Sequence, residues 1–444
     1  MMRRFGLAIA TFAALAAASA ARAAPVLMIS IDGLRPADVL EADARGVHVP
    51  TLSAMLKTGL YATGVHDALP SVTYPNHTTL VTGVWPAVHG VASNETFDPL
   101  RKNMNGWYWY AVDIKAPTLW QAVHAAGAPV ASLGWPVTVD QPAIDDNIPE
   151  YWRAHDAEDR KLEHALITRG LAEAVFQAAG VSIDDMGDTT PPADTVKAKA
   201  AAAIYALKKP KFFTLHLSSL DEEQHLHGPG SPEAHAALTD IDADIAGLVK
   251  AARAVEPDLV VMVVSDHGFA PVEHDINLIP AFVAAGLMTL DANGKPIAWE
   301  AAPWPSGGSA GVVLARRDDP ALKTRVEALL AKLAADPTSG VGRVIDRAEI
   351  AKMGGATDMD YFVDAKIGYE FSPRTTGPLV TPGSLKGMHG YFPDHPEMHA
   401  TLIIDGPGLP IHGSVGEIDM RSIAPTAAKI LGVALPSAQA APLF

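Results

Sequence analysis

Three apolar runs end at acidic residues, and this pattern constrains the fold more than any other in the chain. Val26–Ile31 leads into Asp32-Gly33, Phe212–Leu217 into the Asp221/His225 pair, and Leu259–Val264 into Ser265-Asp266-His267-Gly268. Near-continuous apolar runs of this length are typical of strands covered on both faces by helices. Helical patterns over 156–179, 194–207 and 233–254 separate them. This βα alternation predicts a doubly wound α/β fold, a mostly parallel central sheet with helices on both faces. In such sheets ligands bind beyond the carboxyl ends of the strands, where these acids fall. From about residue 270 to 385 the pattern loosens into short strand-like pieces and one helix near 322–334, which reads as a smaller inserted subdomain on the sheet's rim.

Composition narrows the chemistry. The chain has 444 residues, a net charge of −16 and no Cys. Thiolate nucleophiles, disulfides and Cys-based zinc sites are therefore excluded. Diffuse acidity argues against polymeric nucleic acid as a partner. It leaves a small anionic substrate open, because a metal centre can reverse the local sign. Residues 1–23 read as an export signal: Met-Met-Arg-Arg, an apolar stretch over Phe5–Ala18, then Ala21-Arg22-Ala23. That stretch is too short to span a bilayer and no other apolar run is long enough. The expectation is a mature chain, 24–444, that is periplasmic or secreted and has no membrane span. Nothing in the pattern specifies an oligomer.

The chemistry-bearing residues fall just after strands or just before helices. Asp221 and His225, four apart, converge if the chain turns helically after its strand. One carboxylate oxygen and one imidazole nitrogen suit zinc. Thr73, in Thr73-Tyr-Pro-Asn-His77, lies at a helix N-terminus, where free N–H groups favour an oxyanion; the plainer reading is a helix cap. Asn94 offers two amide donors to a phosphoryl oxygen. The run Trp107–Tyr110 reads as core or pocket wall, and His89 as structural. His225, His267 and His389 with Asp32, Asp221 and Asp266 make two groups of three, enough for two divalent metals clamping an in-line displacement. A metal-bound Thr73 hydroxyl would then become the nucleophile.

These motifs, taken with His89-Gly-Val-x-x-Asn94, Asp221-x-x-x-His225-x-x-Gly-Pro and His389-Gly-Tyr, resemble the nucleotide pyrophosphatase/phosphodiesterase branch of the alkaline phosphatase superfamily, in order from Val26 to about Asp405. The resemblance implies an alkaline phosphatase-like hydrolase with two zinc ions per chain, another divalent metal being compatible with one position. Asp221, His225 and His389 would hold one ion. Asp32, Asp266 and His267 would hold the other, beside Thr73. It also implies that Asn94 binds a phosphoryl oxygen, that Tyr74 contacts the leaving group or base, and that Tyr151 of Pro149-Glu-Tyr151-Trp stacks on a nucleobase. The implied reaction is hydrolysis of a small phosphate ester, a phosphodiester or pyrophosphate, through a phospho-threonine. A Cys/Ser-x-Pro-x-Arg sulfatase motif is missing. Ser132-Leu-Gly-Trp-Pro136 lacks the Lys-x-Arg of the Thr-type phosphomonoesterases, which favours diesters. Alternatives on the same metal site are a phosphomonoesterase or a phosphonoacetate-type hydrolase. A non-catalytic zinc-binding protein would be marked by a lost ligand, and none is lost.

Overall fold

The computed structural model describes residues 23–103, 106–152, 157–187 and 189–444. The expected export signal, residues 1–23, lies outside them except for Ala23. Eight strands make the central sheet: β1 (Val26–Ile31), β2 (Leu60–Tyr61), β3 (Val130–Leu133), β4 (Asp146–Ile148), β5 (Phe212–Leu217), β6 (Val260–Val264), β7 (Leu402–Asp405) and β8 (Gly413–Ser414). Their spatial order is β8-β2-β7-β6-β1-β5-β3-β4. β1 lies at the centre, parallel to β5 and β6, and β3 runs parallel to β5 and β4. β7 alone runs antiparallel, against β6 and β2.

Side chains alternate across a strand, and here they feed two separate cores. Leu27, Ile29 and Ile31 join Phe213, Leu215, Val261 and Val263 on one face. Val26 and Met28 join Phe212, Val260, Met262 and Val264 on the other. The first core is closed by α4 (Pro191–Lys208) and α6 (Pro232–Val255), the second by α3 (Leu119–Ala125) and α7 (Ile423–Leu431), while α1 (Pro50–Thr58), α2 (Thr73–Thr82) and α5 (Ser219–His227) complete the body. Burial on both faces explains why the strands read as unbroken apolar runs. The helical pattern expected over 156–179 is broken into Ala157–Leu166 and Leu171–Ala179, with Gly170 at φ 77° between them. The last helix starts at Ile423, after a 3-10 turn over Met420–Ser422.

Residues 270–388 build a second layer of structure. Ala301–Ser306, Ser309–Leu314, Tyr361–Ala365 and Val341–Asp346 form an antiparallel sheet. Phe282, Val312, Leu330 and Val363 belong to an apolar cluster distinct from those of the main sheet. Gly387 and Met388 pair antiparallel with Pro271 and Ala270. The chain thus leaves the main body and re-enters it side by side, and His389 arrives next to His267.

Candidate active site

The metal-ligand candidates and Thr73 are delivered just past strand ends or from helices that start there. Asp32 follows β1 and its N–H donates to Leu217 O at 2.9 Å, so β1 and β5 end in register. Gly33 turns at φ 68°, and a Cβ there would meet Gln224 Nε2 at 2.9 Å. Its N–H donates to Asp266 Oδ1 at 3.2 Å. Asp221 and His225 lie on α5, one turn apart on one face, with His225 Nε2 3.2 Å from Asp221 Oδ2. Thr73 is the first residue of α2, but its side chain does not cap the helix. Its Oγ1 instead faces His267 Nε2 at 3.4 Å, so the capping reading is replaced by one in which the hydroxyl points into the site.

The three imidazoles are oriented alike. Nδ1 of His225 donates to Gly387 O at 3.0 Å, that of His267 to Gly268 O at 3.1 Å, and that of His389 to Ser71 O at 3.0 Å. A carbonyl only accepts, so each Nδ1 carries a proton and each Nε2 is the nitrogen available as a ligand; burial works against the charged form of His225, but Asp221 outweighs it and raises that imidazole to about 9. Those Nε2 atoms face the carboxylates: His267 to Asp266 Oδ2 at 3.1 Å and to Asp32 Oδ1 at 3.3 Å, His389 to Asp221 Oδ1 at 3.7 Å. The His267 and His389 rings stack with centroids 3.7 Å apart.

Two triads close to within 4.8 Å: Asp221, His225 and His389, as expected, and Asp32, Asp221 and His267. Asp221 is therefore common to both, whereas the expected second group had Asp266; that residue reaches the cluster through His267. Asp32 Oδ1, Asp221 Oδ1 and Asp266 Oδ2 are buried with no hydrogen-bond partner. Burial, then Asp221, pushes the Asp266 carboxyl up to about 8, and burial with Asp266 and Asp221 raises Asp32 well above the carboxylate range. Burial also works on Asp221, but His225 and His389 outweigh it and hold that carboxyl below its ordinary value. Crowding acids in a dry site is costly unless a cation compensates. Oxygens without partners beside imidazole Nε2 atoms are the donor set of divalent metal centres, and a bound dication would reverse these shifts.

The other predicted residues border the cluster. Asn94 Oδ1 accepts the Tyr74 N–H at 2.8 Å, which leaves the amide NH2 as the group able to donate. Tyr74 and Tyr151 belong to one apolar cluster with Trp109, the Tyr151 ring tilted against Trp109 at 4.7 Å. The Trp107–Tyr110 run divides: Trp109 is core, Trp107 lines cavities and Tyr110 is exposed. His89 is buried, with Nε2 3.2 Å from Thr79 Oγ1. One cavity of about 650 Å3 opens beside Thr73, walled by Tyr74, Trp107, Glu150, Tyr151 and Trp152. A second of about 650 Å3 opens past His225 and His389.

Sequence reasoning missed the layer beneath. His77 joins Thr73 O (2.9 Å), Ser30 Oγ (2.9 Å) and His216 Nδ1 (3.1 Å), and His216 Nε2 lies 3.3 Å from Asp32 Oδ2. The signal was a lone imidazole in an otherwise apolar strand, His216 in β5. Asp194 and Lys197 of α4, both buried, were also passed over. Asp194 accepts the Ser218 and Ser219 N–H groups that open α5, at 3.2 and 2.8 Å.

The family model of type I phosphodiesterase/nucleotide pyrophosphatase matches residues 26–391. The chain is 27% identical over 247 residues to ectonucleotide pyrophosphatase/phosphodiesterase family member 1 of Rattus norvegicus, covering 55% of this chain and 24% of that protein. An uncharacterised pyrophosphatase/phosphodiesterase of Schizosaccharomyces pombe is 25% identical over 308 residues, 64% of this chain and 51% of its own. The matches thus span from a quarter to half of these relatives' length. Human ectonucleotide pyrophosphatase/phosphodiesterase 5 superposes with a TM-score of 0.64 at 20% identity, over 92% of this chain and 95% of its own. Its murine counterpart, as an inactive threonine-to-alanine variant in complex with AMP, matches with the same TM-score at 20% identity, over 93% and 96%. These likenesses establish a shared fold.

Proposed function

The chain belongs to the type I phosphodiesterase/nucleotide pyrophosphatase family, and from that premise we propose that it hydrolyses phosphodiester or pyrophosphate bonds of small nucleotide-like substrates, with Thr73 as nucleophile. The observation that carries this is the Thr73 hydroxyl, which caps no helix and lies 3.4 Å from His267 Nε2, set among imidazole Nε2 atoms and partnerless carboxylate oxygens. Asp221, His225 and His389 would hold one divalent ion, and Asp32, Asp266 and His267, with Asp221 in reach, a second. Zinc suits this donor set. Ions so placed would neutralise the crowded acids and favour ionised oxygen nucleophiles.

The chain's own groups then have defined tasks. Thr73 Oγ1 bonds to phosphorus as the bond to the leaving oxygen breaks, and the departing alkoxide or phosphate takes up a proton. Water next attacks the phospho-threonine, whose phosphorus still carries the retained group; the P–Oγ1 bond breaks, the monoester of that group leaves, and Thr73 is restored. The Asn94 amide donates to a phosphoryl oxygen, since its own oxygen is held by the Tyr74 N–H. The aromatic wall of Trp107, Tyr151 and Trp152 stacks the retained nucleoside. Trp135, in the Ser132–Pro136 stretch that lacks the Lys-x-Arg of the monoesterases, is buried against His77 at 4.8 Å, and the missing basic pair favours a diester over the more highly charged monoester. A relative inactivated by replacing a threonine, and holding AMP, supports both assignments. The reading of residues 1–23 as an export signal carries with it a periplasmic or secreted location.

Thr73→Ala tests the proposal. Turnover of bis-p-nitrophenyl phosphate should be abolished while the bound metal count is unchanged, and acid-quenched wild-type protein should carry 4-nitrophenyl phosphate esterified to Thr73. Full activity in the variant would refute the nucleophile.

A further inference from the structure

The second cavity borders the phosphoryl site through Asn94, His225 and His389, but its outer walls have no role in the account so far. It lies between the main body and the 270–388 insertion and contains His225 and His389 but not Thr73. Its walls are mostly apolar: Val72, Phe97, Trp304, Leu385 and Met388. Phe97 is fixed edge-on against Trp299 at 5.4 Å and tilted against Trp304 at 5.3 Å, so the wall is preformed. Among its described lining residues Arg101 is the one Lys or Arg, and its guanidinium already donates to Pro373 O. Glu95, Asp98 and Glu370 supply the acidic side chains. Charged or neutral, these offer no attraction to a polyanion.

In-line displacement sends the leaving oxygen away from the attacking one. Thr73 approaches from the His267 side, so the leaving group departs toward Asp221, His225 and His389, past which the second cavity opens. Resting on the proposed hydrolysis at Thr73, we propose that this cavity is the leaving-group site and that it accepts an uncharged apolar alcohol, aryl or alkyl, in preference to pyrophosphate. A volume of about 650 Å3 is within the range of small-molecule sites. The two cavities meet at His225 and Trp107, so the diester would bridge them, its retained nucleoside or similar group beside Tyr74 and its leaving group under the insertion.

Leu385 is half-buried on the cavity wall and provides the test. In Thr73→Ala protein loaded with zinc, calorimetry should show that adding Leu385→Trp weakens binding of thymidine 5′-(4-nitrophenyl) phosphate by roughly tenfold. Thymidine 5′-monophosphate, which lacks the leaving group, should bind equally to both. In otherwise wild-type protein, Leu385→Arg should narrow the kcat/KM preference for the aryl ester over thymidine 5′-triphosphate by a similar factor. Equal losses for both ligands, or no loss for either, would overturn the leaving-group assignment. An unmoved ratio in Leu385→Arg would overturn the apolar preference. If metal-loaded wild type cleaves neither ester, the hydrolase reading falls, and this proposal with it.

Discussion

Asp194→Ala should be among the most damaging substitutions outside the site. The Asp194 carboxylate is fully buried, and Lys197, 9% exposed, donates to its Oδ1 at 3.0 Å and to Ser218 Oγ at 3.0 Å. The same carboxylate accepts the two N–H groups that begin α5, the helix carrying Asp221 and His225. Removing it strands a buried ammonium, about 3–5 kcal/mol by the usual cost of breaking such a pair. In Asp194→Ala/Lys197→Met the stranded charge is gone and what remains is two unpaired N–H groups, about 1–3 kcal/mol each and common to both variants. The double variant should therefore be more stable than the single one by about the cost of the stranded charge, roughly 3 kcal/mol or more, although it carries one more change. Urea unfolding of the three proteins under one set of conditions measures this. A single variant within about 1 kcal/mol of wild type, or a double variant no better than the single, would show that the pair is not what anchors α5.

Three further outcomes follow from particular contacts. His216→Ala removes the group 3.3 Å from Asp32 Oδ2 and should weaken metal binding by about 10–100-fold, read by chelator competition; unchanged affinity would deny His216 that positioning role. Burial, then Asp275, pushes the Glu370 carboxyl up to about 8, so between its ordinary value of 4.5 and about 8 the folded state holds a proton that the unfolded chain has released. Wild-type stability should accordingly fall as pH rises through that window, with Glu370 contributing on the order of a few kcal/mol, and urea titrations at about pH 5.5 and 8 should show a smaller fall in Glu370→Gln, the remainder belonging to Asp266 and the other buried carboxyls whose values are raised. Gly268→Ala would place a Cβ 2.0 Å from Glu397 O and should cost about 1–3 kcal/mol, visible as a lowered urea midpoint.

The sheet was legible because β1, β5 and β6 are buried on both faces, which leaves runs of Val, Ile, Leu and Met that no exposed strand would carry. The site was legible for a related reason. Acids and imidazoles at the ends of such runs have no packing role, so Asp32, Asp266 and His267 stood out. Gly268 was legible only as part of a motif; its cause is the carbonyl of Glu397 approaching from the far side. Asp194 was not legible, because a carboxylate inside a helix reads as solvated until α5 is seen to begin against it. His216 had a sequence signal, but its partner His77 lies 139 residues away, and no local pattern carries that distance. The break at Gly170 and the antiparallel sense of β7 depend on how elements pack and not on their own composition. Asp221 as a carboxylate common to both triads is likewise a fact of three dimensions.

The side-by-side exit and return of the insertion gives the centre a mechanical role. His389 is held by Ser71 O on the body and stacked on His267, yet it is the second residue after Gly387, which closes the insertion's own sheet. The ligand cluster is thus a clasp across the two ends of a long excursion. Whatever occupies it ties those ends together, and the insertion can swing free only by giving up that occupant. Occupancy at a hundred times the dissociation constant would add about 2.7 kcal/mol to the work of opening, so loading the centre should slow proteolysis within 270–388, far from the bound ion.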